Sequence, residues 1–247
     1  MRPLALLHWA AWSPGIEDED AWRAWAAAPQ PLQPVGAPDV RFLPAMQRRR
    51  CDPLSRMMLH AVHASCPEEL LSEVSSVFAS RYGPFGTMAA LLQSLAVDEP
   101  VSPTRFSHSV HNTQAGLFSI WARNQRASTC VAAGEETFAH GFLEAISMLE
   151  REPERPVLYV MGDEKAPEPL TEPADRDAGA YALALLLSRT EGAGRSAPAT
   201  LEFELEVANE ERPAPGPVDA LRFLRWLISG DPVLRISRST HAWVWRR

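Results

Sequence analysis

Between Val101 and Glu144 the chain gathers the residue types that acyl transfer uses. There is one thiol, Cys130, and two histidines one helical turn apart, His108 and His111. Two adjacent carboxylates, Glu135 and Glu136, directly follow Ala132-Ala133-Gly134. A buried strand that ends in a tight small-residue turn before a helix is a common mount for a nucleophile. There the helix N-terminus favours an anion and the turn exposes the side chain. The residue in that place here is Glu135. Cys130 stands four residues before the glycine, in mid-strand Ser128-Thr129-Cys130-Val131. A reactive thiol wants a helix N-terminus or a cationic base beside it, so Cys130 reads as a small core residue. A stand-alone acyltransferase using Cys130 with His108 or His111 is the competing reading. The carboxylates have a simple account too: the macrodipole favours acids in a first turn by about 0.3–1 kcal/mol.

Other chemistries lack support. No phosphate loop, dinucleotide fingerprint or G-x-S-x-G occurs in the sequence. The histidines His8, His60, His63, His108, His111, His140 and His241 form no H-E-x-x-H, and no cysteine pair has zinc spacing. Neither a metal nor an organic cofactor is expected.

The elements that must position these residues follow from periodicity. Leu4 to Trp12 is apolar up to Ser13-Pro14-Gly15 and predicts a buried strand. Asp18 to Ala28 predicts an amphipathic helix, and Gln30 to Pro44, with four prolines, a loop. Pro53 to Ser65 predicts a helix with proline in its first turn. Leu70 to Ser80 predicts a strand, Arg81 to Gly86 a tight loop and Thr87 to Leu95 a helix. Ser109 to Trp121 reads as a helix and Pro156 to Gly162 as a continuous apolar strand. Lys165 to Asp177 is a Pro- and Asp-rich excursion. For Ala180 to Ser188 periodicity cannot choose between helix and strand. Thr200 to Val207 alternates cleanly, Gly216 to Ser229 is an amphipathic helix, and Val233 to Trp245 is a last strand region. Strands alternating with helices predict α/β layers around a mixed sheet, in a single domain.

Composition narrows the function classes. The 247 residues carry a formal net charge of -7 and a pI near 5.5, which argues against nucleic acid as a partner. Arg48-Arg49-Arg50 is the one basic run, either a solvated helix start or a docking patch for an acidic partner. Cys51, Cys66 and Cys130 suit a reducing compartment. No apolar run approaches a membrane span of roughly 20 residues. The opening MRPLALLHWAAW lacks a charged leader with a cleavage site, so a cytoplasmic location is expected.

One resemblance joins these readings. Leu4 to Ala27 is similar to the opening strand, Ser-Pro turn and first helix of β-ketoacyl synthases of the thiolase fold. Ser102-Pro103, Val110-His111-Asn112, Ala115-Gly116 and Ser119-Ile120 match that family's Ser-Pro, Asn and Ala-Gly helix in register. Arg126 to Gly134 (RASTCVAAG) then resembles its nucleophile strand, and position 135 falls on the acylated cysteine of active synthases. Here it is Glu135, so the resemblance implies a site with no catalytic nucleophile. The resemblance covers about two thirds of the chain and fades after Gly162. The family's His-Gly-Thr motif, Lys followed by Gly-His and closing Gly-Phe-Gly-Gly loop are missing. Residues 1–164 thus look like the N-terminal half of a ketosynthase, and 165–247 like a divergent extension completing the sheet.

Short, cysteine-less members of this group accompany aryl-polyene (xanthomonadin-like) pathways as chain-length factors. The resemblance therefore implies a non-catalytic subunit paired with a full-length β-ketoacyl synthase in a heterodimer, with acyl carrier protein as a possible further partner. A homodimeric scaffold is the other non-enzymatic possibility. Active ketosynthases dimerise through the nucleophile-strand layer. By that analogy the helix Ser109 to Trp121, the loop Ser80 to Gly86 and Thr104 to Phe106 close the far end of the partner's acyl tunnel. Side-chain volume there would set how many extension units fit. Arg105 and Phe106 are the candidate plug, with Tyr82, Phe85, Val110 and Asn112 as the surrounding tunnel and interface residues; simple interface packing explains them equally well. Glu135 would then serve the helix start, or assist decarboxylation of a malonyl extender.

Overall fold

The computed structural model describes residues 3–166, 179–189, 199–208 and 218–247. One eight-stranded mixed sheet carries the fold, built from β1 (Leu4–Trp12), β2 (Ser75–Ala79), β3 (Ser128–Val131), β4 (Val157–Asp163), β5 (Tyr181–Ser188), β6 (Ala199–Val207), β7 (Val233–Ser237) and β8 (His241–Arg246). Their spatial order is β3-β2-β4-β5-β1-β6-β8-β7. Strands β3, β2 and β4 run parallel; every other neighbour pair is antiparallel.

Helices α1 (Glu19–Ala27), α2 (Ala45–Arg48), α3 (Pro53–Ser65), α4 (Phe85–Ala96), α5 (Pro103–Ser107), α6 (Thr113–Ala122), α7 (Thr137–Arg151) and α8 (Asp219–Ser229) join the strands. Helices α3 and α6 cover one face of the sheet; α7 and α8 cover the other. Being covered on both faces explains why Ala180 to Ser188 shows no period: it is strand β5, and every one of its residues is buried. Leu183, Leu185 and Leu187 point to the α7 side, while Ala182 and Ala184 leave room for α3. On the α7 side Phe138, Phe142, Tyr159, Phe203, Phe223 and Trp245 form one aromatic cluster. Gly141 allows α7 to approach β4, because a Cβ there would sit 2.7 Å from the Tyr159 ring.

Four expectations change. Strand β3 is not a buried strand but the sheet's edge, with Ser128 exposed and the rest half-buried, because among the described residues no further strand covers it. The stretch from Leu70 to Val74 is spent on the end of a 3-10 turn and the turn that follows, so β2 begins only at Ser75. In β6 the alternation holds for Leu201 and Phe203, but Leu205 and Val207 are exposed beyond the reach of α7 and α8. The last strand region is two strands, β7 and β8, joined by a tight turn. The excursion expected at Lys165 to Asp177 lies outside the described residues from position 167 on. Among the described residues no helix is long and apolar enough to cross a membrane, and no group of side chains could hold a metal ion.

Candidate functional site

The parallel strands β2, β3 and β4 end together, and the loops that leave them form the candidate site. From β3 the chain passes through Ala132 and Ala133 into a 3-10 turn, Gly134–Glu136, and then into α7. Gly134 takes φ +59°, which a glycine adopts freely, so this turn needs its glycine. The buried Thr137 hydroxyl closes it, donating to the Gly134 carbonyl at 2.7 Å and accepting from the Ala133 amide at 2.9 Å. The Glu135 side chain is left on the surface, while Glu136 turns inward.

Glu136 Oε2 accepts from His241 Nε2 at 2.8 Å and Trp243 Nε1 at 2.6 Å, both on β8. Burial pushes the Glu136 carboxyl up, but these hydrogen bonds and the charges of His241 and Arg238 outweigh it and hold it below its ordinary value. The Arg238 guanidinium continues the network to Asp219, at the start of α8, and to the Glu135 carbonyl. Burial raises Asp219 to about 6 despite Arg238 and Arg222. The C-terminal hairpin therefore braces the turn that carries Glu135. Sequence reasoning missed this because Glu136 and His241 are 105 positions apart and only the sheet order joins them.

Cys130 lies opposite Phe78 in the β2–β3 pair and packs with the α3-side core. Burial alone moves its thiol up to about 11. His111 is engaged elsewhere, its Nε2 2.8 Å from the Ser80 carbonyl. Among the described residues no hydrogen bond joins Cys130 to His108 or His111. Burial likewise lifts Cys51 to about 11 and Cys66 to about 12. Iodoacetamide at neutral pH is therefore expected to label the native protein slowly and all three thiols only after denaturation. Fast, stoichiometric labelling of Cys130 would instead support the stand-alone acyltransferase.

The candidate tunnel residues cluster in the loops and helices after β2. Tyr82 and Phe85 stack with ring centroids 5.3 Å apart, and the Arg81 guanidinium lies 4.8 Å over Tyr82. Helix α5 packs against α4 and exposes Arg105 and Phe106; Phe106 is 65% exposed and Val110 46%. Asn112 is exposed just before α6, whose first residue is Thr113, not Ser109. Helix α4 is mostly apolar, with Thr87, Gln93 and Ser94 as its polar residues, yet buries only Leu91. Its Met88, Leu92 and Leu95 form an exposed stripe at helical spacing. Helix α6 exposes Gly116 and Ile120 at four-residue spacing, one element before the edge strand β3. The apolar sequence of α4 was the available signal for this uncovered face.

Fold and site together define a thiolase-like ketosynthase domain. The sequence matches the family described as beta-ketoacyl synthase, N-terminal domain, over residues 22–246, and the chain belongs to that family. The match reaches almost to the last residue, so the tail belongs to the family's pattern even though the resemblance read from motifs fades after Gly162. Among solved structures, a chain of the ketosynthase (ApeO) in complex with its chain length factor (ApeC) from Xenorhabdus doucetiae is similar at 27% identity. That match covers 100% of both chains with a TM-score of 0.78. The ishigamide ketosynthase/chain length factor shares the fold at 14% identity, covering 100% of this chain and 99% of that one, with a TM-score of 0.75. A beta-ketoacyl synthase from Burkholderia phymatum is similar over 94% of this chain but 71% of its own, at 14% identity and a TM-score of 0.63. Among curated proteins none matches in sequence.

Proposed function

We propose that this chain is a chain-length factor: a non-catalytic, cytoplasmic subunit that pairs with a full-length ketosynthase in aryl-polyene-type synthesis. What carries the reading is the end-to-end similarity to a chain of a ketosynthase–chain length factor complex. Two features support it. Glu135 stands where active synthases carry their cysteine, and a carboxylate cannot hold an acyl chain as a thioester. The exposed apolar stripe of α4, and Ile120 on α6 next to the edge strand β3, suit a large partner surface.

On this reading Phe106 and Arg105, on α5, stand with the Tyr82–Phe85 ring pair at the end of the partner's tunnel, with Val110 and Asn112 in the interface. Glu135 serves the start of α7. Acyl carrier protein reaches the complex, with the exposed Arg49 and Arg50 as an available basic surface.

The test is product length in the reconstituted heterodimer. Phe106→Ala opens space for roughly one or two more extension units, and the product distribution should shift longer. Phe106→Trp should shift it shorter. Glu135→Ala should change neither product length nor yield. Identical products from both Phe106 variants would remove α5 from the tunnel.

A further inference from the structure

At the end of β4 two successive carboxylates grip the loop Ser80–Gly86. Asp163 Oδ1 accepts from the Ser80 hydroxyl at 2.7 Å and the Arg81 amide at 2.8 Å, and Oδ2 accepts from the Tyr181 hydroxyl at 3.1 Å. The Tyr82 amide also donates to Asp163. The Ser80 hydroxyl oxygen in turn accepts from the Gly83 amide at 2.9 Å, so one carboxylate fixes the loop from Ser80 to Gly83. Glu164 accepts from the amides of Gly86 and Leu54, which lie in the first turns of α4 and α3. It thereby ties two helix starts together, one of which carries Phe85. Asp52, the residue before α3, accepts from the Ser55 amide at 2.7 Å.

The pair Glu164 and Asp52 has an unusual deficit. Glu164 Oε1 and Asp52 Oδ2 are both buried, and neither has a hydrogen-bond donor among the described residues. Glu164 and Asp52 accept from consecutive amides, Leu54 and Ser55, in the first turn of α3, and two carboxylates brought side by side in a buried place do not readily ionise together. One proton between them supplies a donor where both lack one. Burial, then the charge of Asp52, lifts Glu164 to about 7, and burial also raises Asp52. Among the described residues, the charged or titratable groups around the clasp include Cys51, Arg56, Arg81, His108, His111, Tyr159, Asp163 and Tyr181. Arg81 is engaged over Tyr82, and His108 attracts Asp52. His111 faces the Ser80 carbonyl; Tyr181 donates to Asp163, which burial raises to about 6.

We propose that Asp163, Glu164 and Asp52 form a clasp that positions the Tyr82–Phe85 ring pair, closed by one proton shared between Glu164 and Asp52. Its consequence for product length rests on the chain-length-factor reading; the clasp itself does not. When the proton is lost, two charges face each other in a buried space, and one carboxylate turns out toward water. Glu164 then releases Gly86 and Leu54, and the ring pair loses its fixed place.

Amide hydrogen exchange on the isolated chain, corrected for the intrinsic rate at each pH, tests the clasp. Protection of the amides from Arg81 to Gly86 should fall about 5-fold or more between about pH 6 and about pH 8. Glu164→Gln keeps a donor toward Asp52 without a titrating proton, so its protection should stay flat and high. Asp52→Asn, which retains a capping oxygen, should do the same. Wild-type protection that is flat with pH, or variants that track the wild type, would overturn the clasp. In the heterodimer, wild-type product lengths should broaden above about pH 7 while those of Glu164→Gln stay narrow. A loop that loosens with no change in products would leave the clasp standing and remove the ring pair from the tunnel.

Discussion

Gly116→Arg is expected to abolish assembly with a full-length ketosynthase while leaving the isolated chain at least as stable. Gly116 is exposed on α6, and a Cβ built there meets nothing within 4 Å. A glycine inside a helix costs about 1 kcal/mol relative to better helix formers, so the isolated chain gains if anything. In the proposed heterodimer the same position is covered, beside Ile120, which is 62% exposed in the isolated chain. An unpaired guanidinium buried there costs several kcal/mol, a loss of affinity on the order of 100-fold or more. Co-expression followed by size-exclusion chromatography reads the assembly, and thermal unfolding of the free subunit reads its stability. A variant that unfolds at the wild-type temperature but still elutes with its partner would exclude the α6 face as the interface. If the free wild-type chain already elutes as a dimer that the variant breaks, the homodimeric scaffold gains the support instead.

The sequence made much of the scaffold legible. Pro53 to Ser65 is a helix at its expected bounds because Asp52, Pro53 and an apolar stripe agree on one start and one face. The strand at Val157 and the turn at Gly134 were equally clear, since continuous apolar residues and a small-residue turn leave few alternatives. Strand β3 misled because Cys130, Val131 and the small Ala132-Ala133 that follow read as a core strand, whereas the sheet order puts β3 at the edge with Ser128 exposed. Among the site residues, Tyr82 and Phe85 do meet, and Phe106 stands exposed on α5 against α4. Asp163 and Glu164 drew no notice, because an acid at the end of a strand is ordinarily solvated. Asp163's hold on the loop after β2 and on Tyr181, and Glu164's on two helix starts, depend on β2, β4 and β5 being neighbours, which no local pattern records.

Arg238→Ala is expected to destabilise the chain by about 3–5 kcal/mol, the cost of leaving a buried charge without its partner. Asp219 is 6% exposed, and Arg238 is its ion-pair partner, with Arg222 farther off at 3.9 Å. The loss should depend on pH, and the sign follows from the carboxyls. Burial raises Asp219 in the folded chain to about 6, so folding favours its protonated form. Its ionised form is a liability above that pH, and the liability fades as pH falls from about 6 toward about 4, the range of the unfolded carboxyl. Removing the guanidinium drives Asp219 higher still and enlarges the liability on the alkaline side. Glu136 has the opposite sign: held below its ordinary value, it contributes stability that is lost only in acid. The variant's deficit should therefore be greatest near about pH 8 and shrink near about pH 5, as read by urea unfolding at each pH. Pairing Asp219→Asn with Arg238→Met removes both charges and should recover most of the stability, because a buried pair replaced as a unit costs little. A deficit equal at both pH values, or no recovery in the double variant, would mean that Arg238 acts through packing and its bond to the Glu135 carbonyl. If the brace is electrostatic, the C-terminal hairpin holds the Glu135 turn through Glu136 and Arg238, and weakening it should raise hydrogen exchange at Gly134–Glu136 before the rest of α7 opens.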